Sequence, residues 1–161
     1  MRNRFYEKLL PLLIVPSIFI TDFFVKKYIE TYGEDLENKQ IIGKKIKLKK
    51  HYNTGMAMDF MKHKTGWVLA ISSIILTILC FFLAFVIPKK GKKLVKYGLA
   101  FLIGGAAGNV YDRAVRHYVV DYFSFETGLA WFDRIIFNIS DIFIFVGMIL
   151  LVIGDAVAKE S

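Results

Sequence analysis

Cysteine is almost absent from this chain of 161 residues, which contains a single one, Cys80, inside an apolar run. One cysteine excludes a disulfide within the chain and the paired spacing of a structural zinc site. The three histidines, His51, His63 and His117, show no spacing typical of metal ligands. We therefore expect no metal ion and no cofactor.

Acidic residues are also few, 14 against 22 lysines and arginines, which gives a net charge of +8. Hydrophobic residues make up 55% of the chain, and the mean hydropathy is +0.46. This composition is too apolar for an ordinary soluble domain and indicates a small polytopic membrane protein. The positive charge then favours membrane lipids as partners, with no role for nucleic acid. We expect a single domain over residues 1–161 and a monomer.

Four apolar stretches are long enough, or nearly so, to cross a bilayer as helices. The second has no charged residue, and the third contains a cluster of glycine and alanine. The segment 26–64 has a strand-like Lys-x-Lys alternation and predicts an external β element on the membrane surface. The fold class is therefore an integral membrane α-helical protein. The predicted transmembrane helices cover about 9–25, 66–87, 94–110 and 135–153.

The distribution of lysine and arginine predicts the orientation. Arg2, Arg4 and Lys8 precede the first apolar stretch, and Lys89–Lys93 connects the second to the third. By the positive-inside rule, both termini and this loop lie in the cytoplasm. The N-terminus has the pattern of a signal peptide but no small-x-small cleavage site, so we expect a retained first helix.

Asp141 lies in an otherwise apolar run, where a carboxylate costs about 2.5–3.5 kcal/mol unless it has a partner or a cavity. It is therefore a candidate functional residue, and Asp121 is a candidate partner. Asn138 precedes Asp141 by three residues and shares its helix face. Two alternatives stay open: Asn138 as a helix N-cap, and Asp141 as a structural partner of a lysine or arginine.

The small-residue cluster Gly104–Gly108 allows another backbone to approach closely. Asn109, Asp112 and Arg113 follow at spacings i, i+3 and i+4, and therefore lie on one face if the helix continues. This group is either a capping and salt-bridge cluster or a set of side chains that holds a peptide backbone.

Two weaker patterns lie earlier in the chain. Asp22 and Lys26 have i, i+4 spacing at the outer end of the first helix, which indicates a structural ion pair or an interfacial anchor. The run Asn53-Thr54-Gly55 is typical of a turn.

Two neighbouring carboxylates suggest a definite chemistry for Asp121 and Asp141. Like charges a few ångströms apart cannot both ionise easily. The ionised member can take a proton from water that attacks a carbonyl, and the protonated member can donate to the carbonyl oxygen. Which aspartate holds the proton stays open, because the titration belongs to the pair.

Together these patterns resemble lipoprotein signal peptidase, also called signal peptidase II, the membrane aspartic protease family of bacteria. The resemblance covers nearly the whole chain, and its two longer segments are highly specific. In chain order, the segments are Asp22 to Lys26, Asn53 to Gly55, Gly104 to Arg113 with Val119 to Tyr122, and Phe137 to Asp141.

The resemblance implies that Asp121 and Asp141 are the catalytic dyad. It implies a substrate too: a prolipoprotein whose cysteine carries diacylglycerol, cleaved just before that cysteine. The implied fold is a four-transmembrane-helix bundle with a small external β-cradle, in the bacterial cytoplasmic membrane, with the active site near the outer interface. The implied substrate-binding residues are Asn53, Gly55, Asn109, Arg113 and Asn138, and we expect structural roles for Asp22, Lys26 and Asp112.

The chain departs from the family pattern at two places. Met56 and Met58 replace residues of an Asn-x-Gly-Ala-Ala-Phe motif, and Ser140 and Ile142 flank Asp141 where the family has alanine and serine. The second departure leaves open the hydrogen bonding around Asp141, and with it the rate and the inhibitor sensitivity. A divergent paralogue and a non-catalytic protein that binds signal peptides or partner helices therefore stay open as alternatives.

Overall fold

Four long helices and a three-stranded antiparallel sheet make up the described part of the chain. The computed structural model describes residues 2–36, 39–41, 43, 45–55 and 65–159. The helices are α1 Arg2–Leu36, α2 Thr65–Val86, α3 Lys93–Val115 and α4 Ile139–Lys159, and the strands are β1 Gln40–Ile41, β2 Ile46–Asn53 and β3 Val119–Phe125.

Helix α3 is the centre of the helical bundle and packs against α1, α2 and α4. The other three helices are long and apolar enough to cross a membrane, whereas α3 is not among the candidate spans. Its neighbours shield α3, so it can carry glycines, Asn109 and Asp112 that are buried within the protein. Polar residues at membrane depth characteristically face the interior of a bundle in this way.

The sheet has the order β1-β2-β3, and one face packs against the C-terminal end of α1. Ile29 of α1 forms a buried cluster with Val120 and Tyr122 of β3. Because side chains alternate along a strand, Asp121 points to the opposite face. The register pairs His51 of β2 with Asp121 and is irregular between Leu48 and His51.

The structure corrects two expected boundaries. Residues 26–36 are helical and do not belong to the β segment, because α1 continues to Leu36 and buries Ile29 against the sheet. Helix α4 begins at Ile139, later than the expected 135, because Phe137 pairs with Phe123 as an extension of the sheet. The substituted residues Met56 and Met58 lie outside the described residues.

Candidate functional site

Asp121 is a buried carboxylate in the middle of β3, with an exposed fraction of 3%. The Asn53 amide, at the end of β2, donates a hydrogen bond of 3.0 Å to Asp121 Oδ2. The Asn138 amide donates a hydrogen bond of 2.6 Å to Asp121 Oδ1. Two amide donors from different elements thus fix the orientation of this carboxyl group.

Asp141 lies in the first turn of α4 and forms a reciprocal capping arrangement with Asn138. The Asp141 backbone N–H donates to Asn138 Oδ1 at 3.1 Å, and the Asn138 backbone N–H donates to Asp141 Oδ2 at 3.1 Å. This is the hydrogen-bond pattern of a capping box, in which two unpaired N–H groups at a helix start are satisfied. Asn138 is therefore the N-cap of α4, as its residue type suggested.

Asn109, a residue of α3, connects Asp141 to the other residues of the site. Its amide nitrogen donates to Asp141 Oδ1 at 3.0 Å, and its oxygen accepts a hydrogen bond from the Asn138 amide at 3.2 Å. Asn138 consequently contacts both carboxylates and Asn109 at once. The two candidate acids belong to one hydrogen-bonded cluster, although they lie on different elements.

Burial controls the electrostatics of Asp121. Removal from water and then the negative charge of Asp141 raise the pKa of Asp121 to about 7, against the lowering effect of the Asn53 and Asn138 amides. A buried carboxyl beside a second carboxyl is expected to titrate near neutral pH. Asp121 can therefore hold a proton under physiological conditions.

A second buried cluster lies beside these residues and is centred on Lys26, which has no exposed surface. Lys26 Nζ lies 2.7 Å from Asp22 Oδ2 and 2.9 Å from Asp112 Oδ2. It also donates a hydrogen bond of 2.9 Å to Asn109 Oδ1. The ammonium group is thus surrounded by two carboxylates as ion-pair partners and by one amide oxygen as hydrogen-bond acceptor.

Arg113 occupies the open side of the site. One guanidinium nitrogen donates to the Gly55 carbonyl at 3.1 Å, and another donates to the Asn109 carbonyl at 3.3 Å. The Gly55 N–H in turn donates to Asn53 Oδ1 at 3.0 Å, which closes the turn expected from Asn53-Thr54-Gly55. A cavity of about 90 Å³ adjoins this group and is lined by Thr54, Thr65, Gly66, Leu69, Arg113 and His117.

The structure therefore brings together every residue expected at the site. The two aspartates and the five expected substrate-binding residues form one connected group, and Asp22, Lys26 and Asp112 adjoin it. Sequence reasoning missed the hydrogen bond from Lys26 to Asn109. A usable signal existed, because a lysine in an apolar helix requires a buried partner.

Sequence reasoning also missed three supporting residues. Arg116 forms ion pairs with Asp112 and with Glu30 of α1. The Tyr122 hydroxyl accepts a hydrogen bond of 3.0 Å from the Ile139 N–H at the start of α4. The i, i+4 spacing of Asp112 and Arg116 was a usable local signal. The contacts of Glu30 and Tyr122 had none, because they depend on how the helices and the sheet pack.

Comparison with known proteins places this arrangement in a family. The family model for signal peptidase (SPase) II matches residues 14–156. The lipoprotein signal peptidase of Mesorhizobium japonicum is 34% identical over 146 residues, which cover 91% of this chain and 84% of that protein. That of Staphylococcus haemolyticus is 28% identical over 99% of this chain and all of the relative.

Among solved structures, a bacterial membrane enzyme determined by the in meso method at 2.3 Å resolution has a TM-score of 0.72. It is 26% identical, and the match covers 94% of this chain and 88% of that one. With its apolar helices, the protein is thus a multi-pass membrane protein. The chain belongs to the signal peptidase II family of membrane peptidases.

Proposed function

We propose that this protein is an aspartic endopeptidase that removes signal peptides from diacylglyceryl-modified prolipoproteins. Cleavage falls just before the lipidated cysteine and uses a water molecule activated between Asp121 and Asp141. Membership of the signal peptidase II family and relatives named lipoprotein signal peptidase support the substrate class. The aspartic mechanism is supported by the hydrogen bonds around the two carboxyl groups.

The bridging position of Asn138 is the observation that carries this proposal. Its side chain donates to Asp121, while its backbone N–H donates to Asp141. Both carboxyl groups are therefore fixed relative to the same residue, and each keeps lone pairs for a water molecule or substrate. Buried acids in a purely structural role would instead be expected to pair with a lysine or arginine, as Asp22 does.

The two aspartates have different environments, and this suggests their roles. The pKa of Asp121, raised to about 7, allows it to be the protonated member that donates to the scissile carbonyl oxygen. Asp141 lies in the first turn of a helix, where backbone dipoles stabilise negative charge. We therefore assign the ionised role to Asp141, which takes a proton from the attacking water.

The reaction then follows from these roles. Water oxygen bonds to the carbonyl carbon as its proton passes to Asp141, and Asp121 protonates the carbonyl oxygen. Asp121 recovers that proton as the tetrahedral intermediate collapses. The C–N bond breaks, and the departing amine takes the proton that Asp141 holds. These proton transfers balance without a metal ion and without a covalent enzyme intermediate.

Arg113 is the residue we assign to substrate backbone binding. Two of its guanidinium nitrogens hold the Gly55 and Asn109 carbonyls, while among the described residues its buried Nε has no hydrogen-bond partner. An uncommitted N–H beside the cavity can donate to a peptide carbonyl. Asn53 and Asn138 contribute by orienting Asp121.

The location of the site suits a substrate anchored in a bilayer. Asp141 lies at the start of a membrane helix, and Asp121 lies in the sheet beside it. A lipidated cysteine holds its scissile bond at a similar depth, where water is available. We propose the outer face of the bacterial cytoplasmic membrane, with both termini in the cytoplasm. A monomer suffices, because one chain supplies every residue of the proposed site.

The test uses purified protein with a precursor that carries diacylglycerol on its cysteine. We expect Asp121→Asn and Asp141→Asn each to lower kcat at least about a hundredfold, because each removes one proton-transfer group. Asp35→Asn, which neutralises an exposed acid outside the site, should retain full activity. The same precursor with an unmodified cysteine should remain uncleaved.

Two outcomes would contradict the proposal. Normal cleavage by either site variant would exclude the dyad. Absence of cleavage by the unmodified protein, over a panel of lipidated precursors that it nevertheless binds, would favour the non-catalytic binding protein.

A further inference from the structure

Ser140 directly precedes Asp141 in the first turn of α4, and it is completely buried. Its hydroxyl lies beside the Asp22 carboxylate of α1, since both groups approach Gly108 of α3. Ser140 therefore places a donor beside a buried acid on another helix.

Asp22 and Ser140 both have unused hydrogen-bonding capacity. Within the described residues, Asp22 Oδ1, Asp22 Oδ2 and Ser140 Oγ are buried atoms without a hydrogen bond of normal geometry. Lys26 lies 2.7 Å from Asp22 Oδ2, but a carboxylate has about four lone-pair sites. Buried polar atoms rarely remain unpaired, because each loses its hydrogen bonds to water.

Gly108 on α3 provides the space in which these two groups meet. A Cβ atom at this position would collide with Asp22 Oδ2 and would lie 2.8 Å from Ser140 Oγ. The absence of a side chain thus lets α1 and α4 approach each other across α3. The hydroxyl hydrogen of a serine can rotate, so it can point toward the carboxylate.

This contact lies at the end of a chain of hydrogen bonds that reaches Asp141. Asp22 pairs with Lys26, Lys26 donates to Asn109 at 2.9 Å, and Asn109 donates to Asp141 at 3.0 Å. Ser140 is also the backbone neighbour of Asp141. A constraint on Ser140 therefore acts on the Asp141 carboxyl by two routes.

We propose that the Ser140 hydroxyl donates a hydrogen bond to Asp22 and that Ser140 is thereby a positioning residue for Asp141. The proposal rests on the proposed function, because it concerns how one member of the dyad is oriented. Ser140 does not contact the substrate. It acts by holding the first turn of α4 and by fixing Lys26, whose ammonium group orients the Asn109 amide.

The test compares Ser140→Ala, Ser140→Cys, Asp22→Asn and the double variant Ser140→Ala/Asp22→Asn with the unmodified protein. Cysteine has the shape of serine with a larger end atom and is a much weaker donor, whereas alanine is smaller and has no donor. A similar loss in both variants therefore reports the hydrogen bond and not the volume. We expect both Ser140 variants to lower kcat about five- to tenfold with KM unchanged, since the net contribution of one buried hydrogen bond corresponds to about this factor. Ser140→Ala should have a clearly smaller effect in the Asp22→Asn background, because the neutral amide oxygen is a weaker acceptor than the carboxylate.

Three results would overturn the proposal: an unchanged kcat in Ser140→Ala, an unchanged kcat in Ser140→Cys alone, or equal effects of Ser140→Ala in both backgrounds. A lower melting temperature with normal kcat would show a structural role only and would overturn it too. If Asp22→Asn cannot be recovered folded, the alanine and cysteine variants decide the question. Lack of cleavage by the unmodified protein would instead reject the proposed function, and the melting temperatures would still report the Ser140–Asp22 contact.

Discussion

At the scale of single residues, the hydrogen bonds of Asn138 explain why this position is an asparagine. Several other residue types could cap a helix here. Aspartate and serine cap helices about as well as asparagine. Of the three, only asparagine has two side-chain donors besides its capping oxygen, and the Asn138 amide donates toward both Asp121 at 2.6 Å and Asn109 at 3.2 Å. An aspartate here would place a third carboxyl group against the pair. The asparagine at 138 is thus explained by its contacts with Asp121 and Asn109 as well as by the capping of α4.

Lys26 shows how a buried charge depends on the partners around it. A buried lysine is costly to desolvate, and it is retained where acidic partners surround it. Here Asp22 and Asp112 lie within 2.9 Å of Nζ. Removal of one partner from such a group is strongly destabilising, typically by about 3–5 kcal/mol. The cluster therefore fixes the relative positions of α1 and α3, and with them Asn109.

We expect the pH dependence of cleavage to follow the protonation of Asp121. Its pKa is raised from 3.8 to about 7, so the group is protonated below about pH 7 and ionised above. If Asp121 must donate a proton, kcat/KM should fall about tenfold per pH unit above pH 7. The measurement is kcat/KM from pH 5 to pH 9 with a lipidated precursor. A profile that stays flat up to pH 9 would rule out Asp121 as the proton donor, and Asp35→Asn should reproduce the unmodified profile.

At the scale of elements, the start of α4 is where the sheet, α3 and α4 meet. Gly105 of α3 faces the Ser140 carbonyl, and a Cβ atom on it would lie 2.5 Å from that oxygen. The Tyr122 hydroxyl holds the Ile139 N–H from the other side. The position of Asp141 therefore depends on close helix packing as much as on its own hydrogen bonds.

A methyl group at Gly105 should disturb this junction. We expect Gly105→Ala to lower both the melting temperature and kcat, because backbone cannot move aside easily and overpacking costs about 1–3 kcal/mol. Thr77→Ala is the control, since it also introduces an alanine into a membrane helix but at an exposed position of α2 outside the site. It should leave both activity and melting temperature nearly unchanged.

Thermal unfolding and cleavage assays of the two variants check this prediction. Equal melting temperatures and equal kcat for Gly105→Ala and Thr77→Ala would show that the α3–α4 approach does not position Asp141.

Contacts within one helix could be predicted from the sequence, whereas contacts between different helices and strands could not. Local spacing was sufficient for the Asp22–Lys26 ion pair and for the Asn138 cap, because both depend on residues within one helical turn. The contact between Lys26 and Asn109 was not predictable in this way, since it depends on how α1 packs against α3. The helical course of residues 26–36 was hidden for a related reason: its stabilising partner, β3, lies far along the chain.

At the scale of the whole molecule, we propose that α3 also crosses the membrane. Its 23 residues are about 35 Å long at 1.5 Å per residue, which exceeds a hydrocarbon core of about 30 Å. The sheet adjoins its C-terminal end, and the loop Lys89–Lys93 adjoins its N-terminal end. Four crossings then place the sheet and the aspartates on one side and both termini on the other.

Cysteine labelling tests this topology, because Cys80 can first be removed by Cys80→Ala to give a cysteine-free background. Lys49→Cys in β2 and Lys90→Cys in the α2–α3 loop then introduce single thiols at exposed positions. In intact spheroplasts, a membrane-impermeant maleimide should label Lys49→Cys at once and Lys90→Cys only after permeabilisation. The physical reason is that the four lysines at 89–93 favour the cytoplasmic face. Because β2 pairs with β3, which follows α3, equal labelling of both variants in intact spheroplasts would mean that neither α2 nor α3 crosses the membrane. Since cleavage can be measured on each variant, a misfolded protein would be recognised by its lost activity.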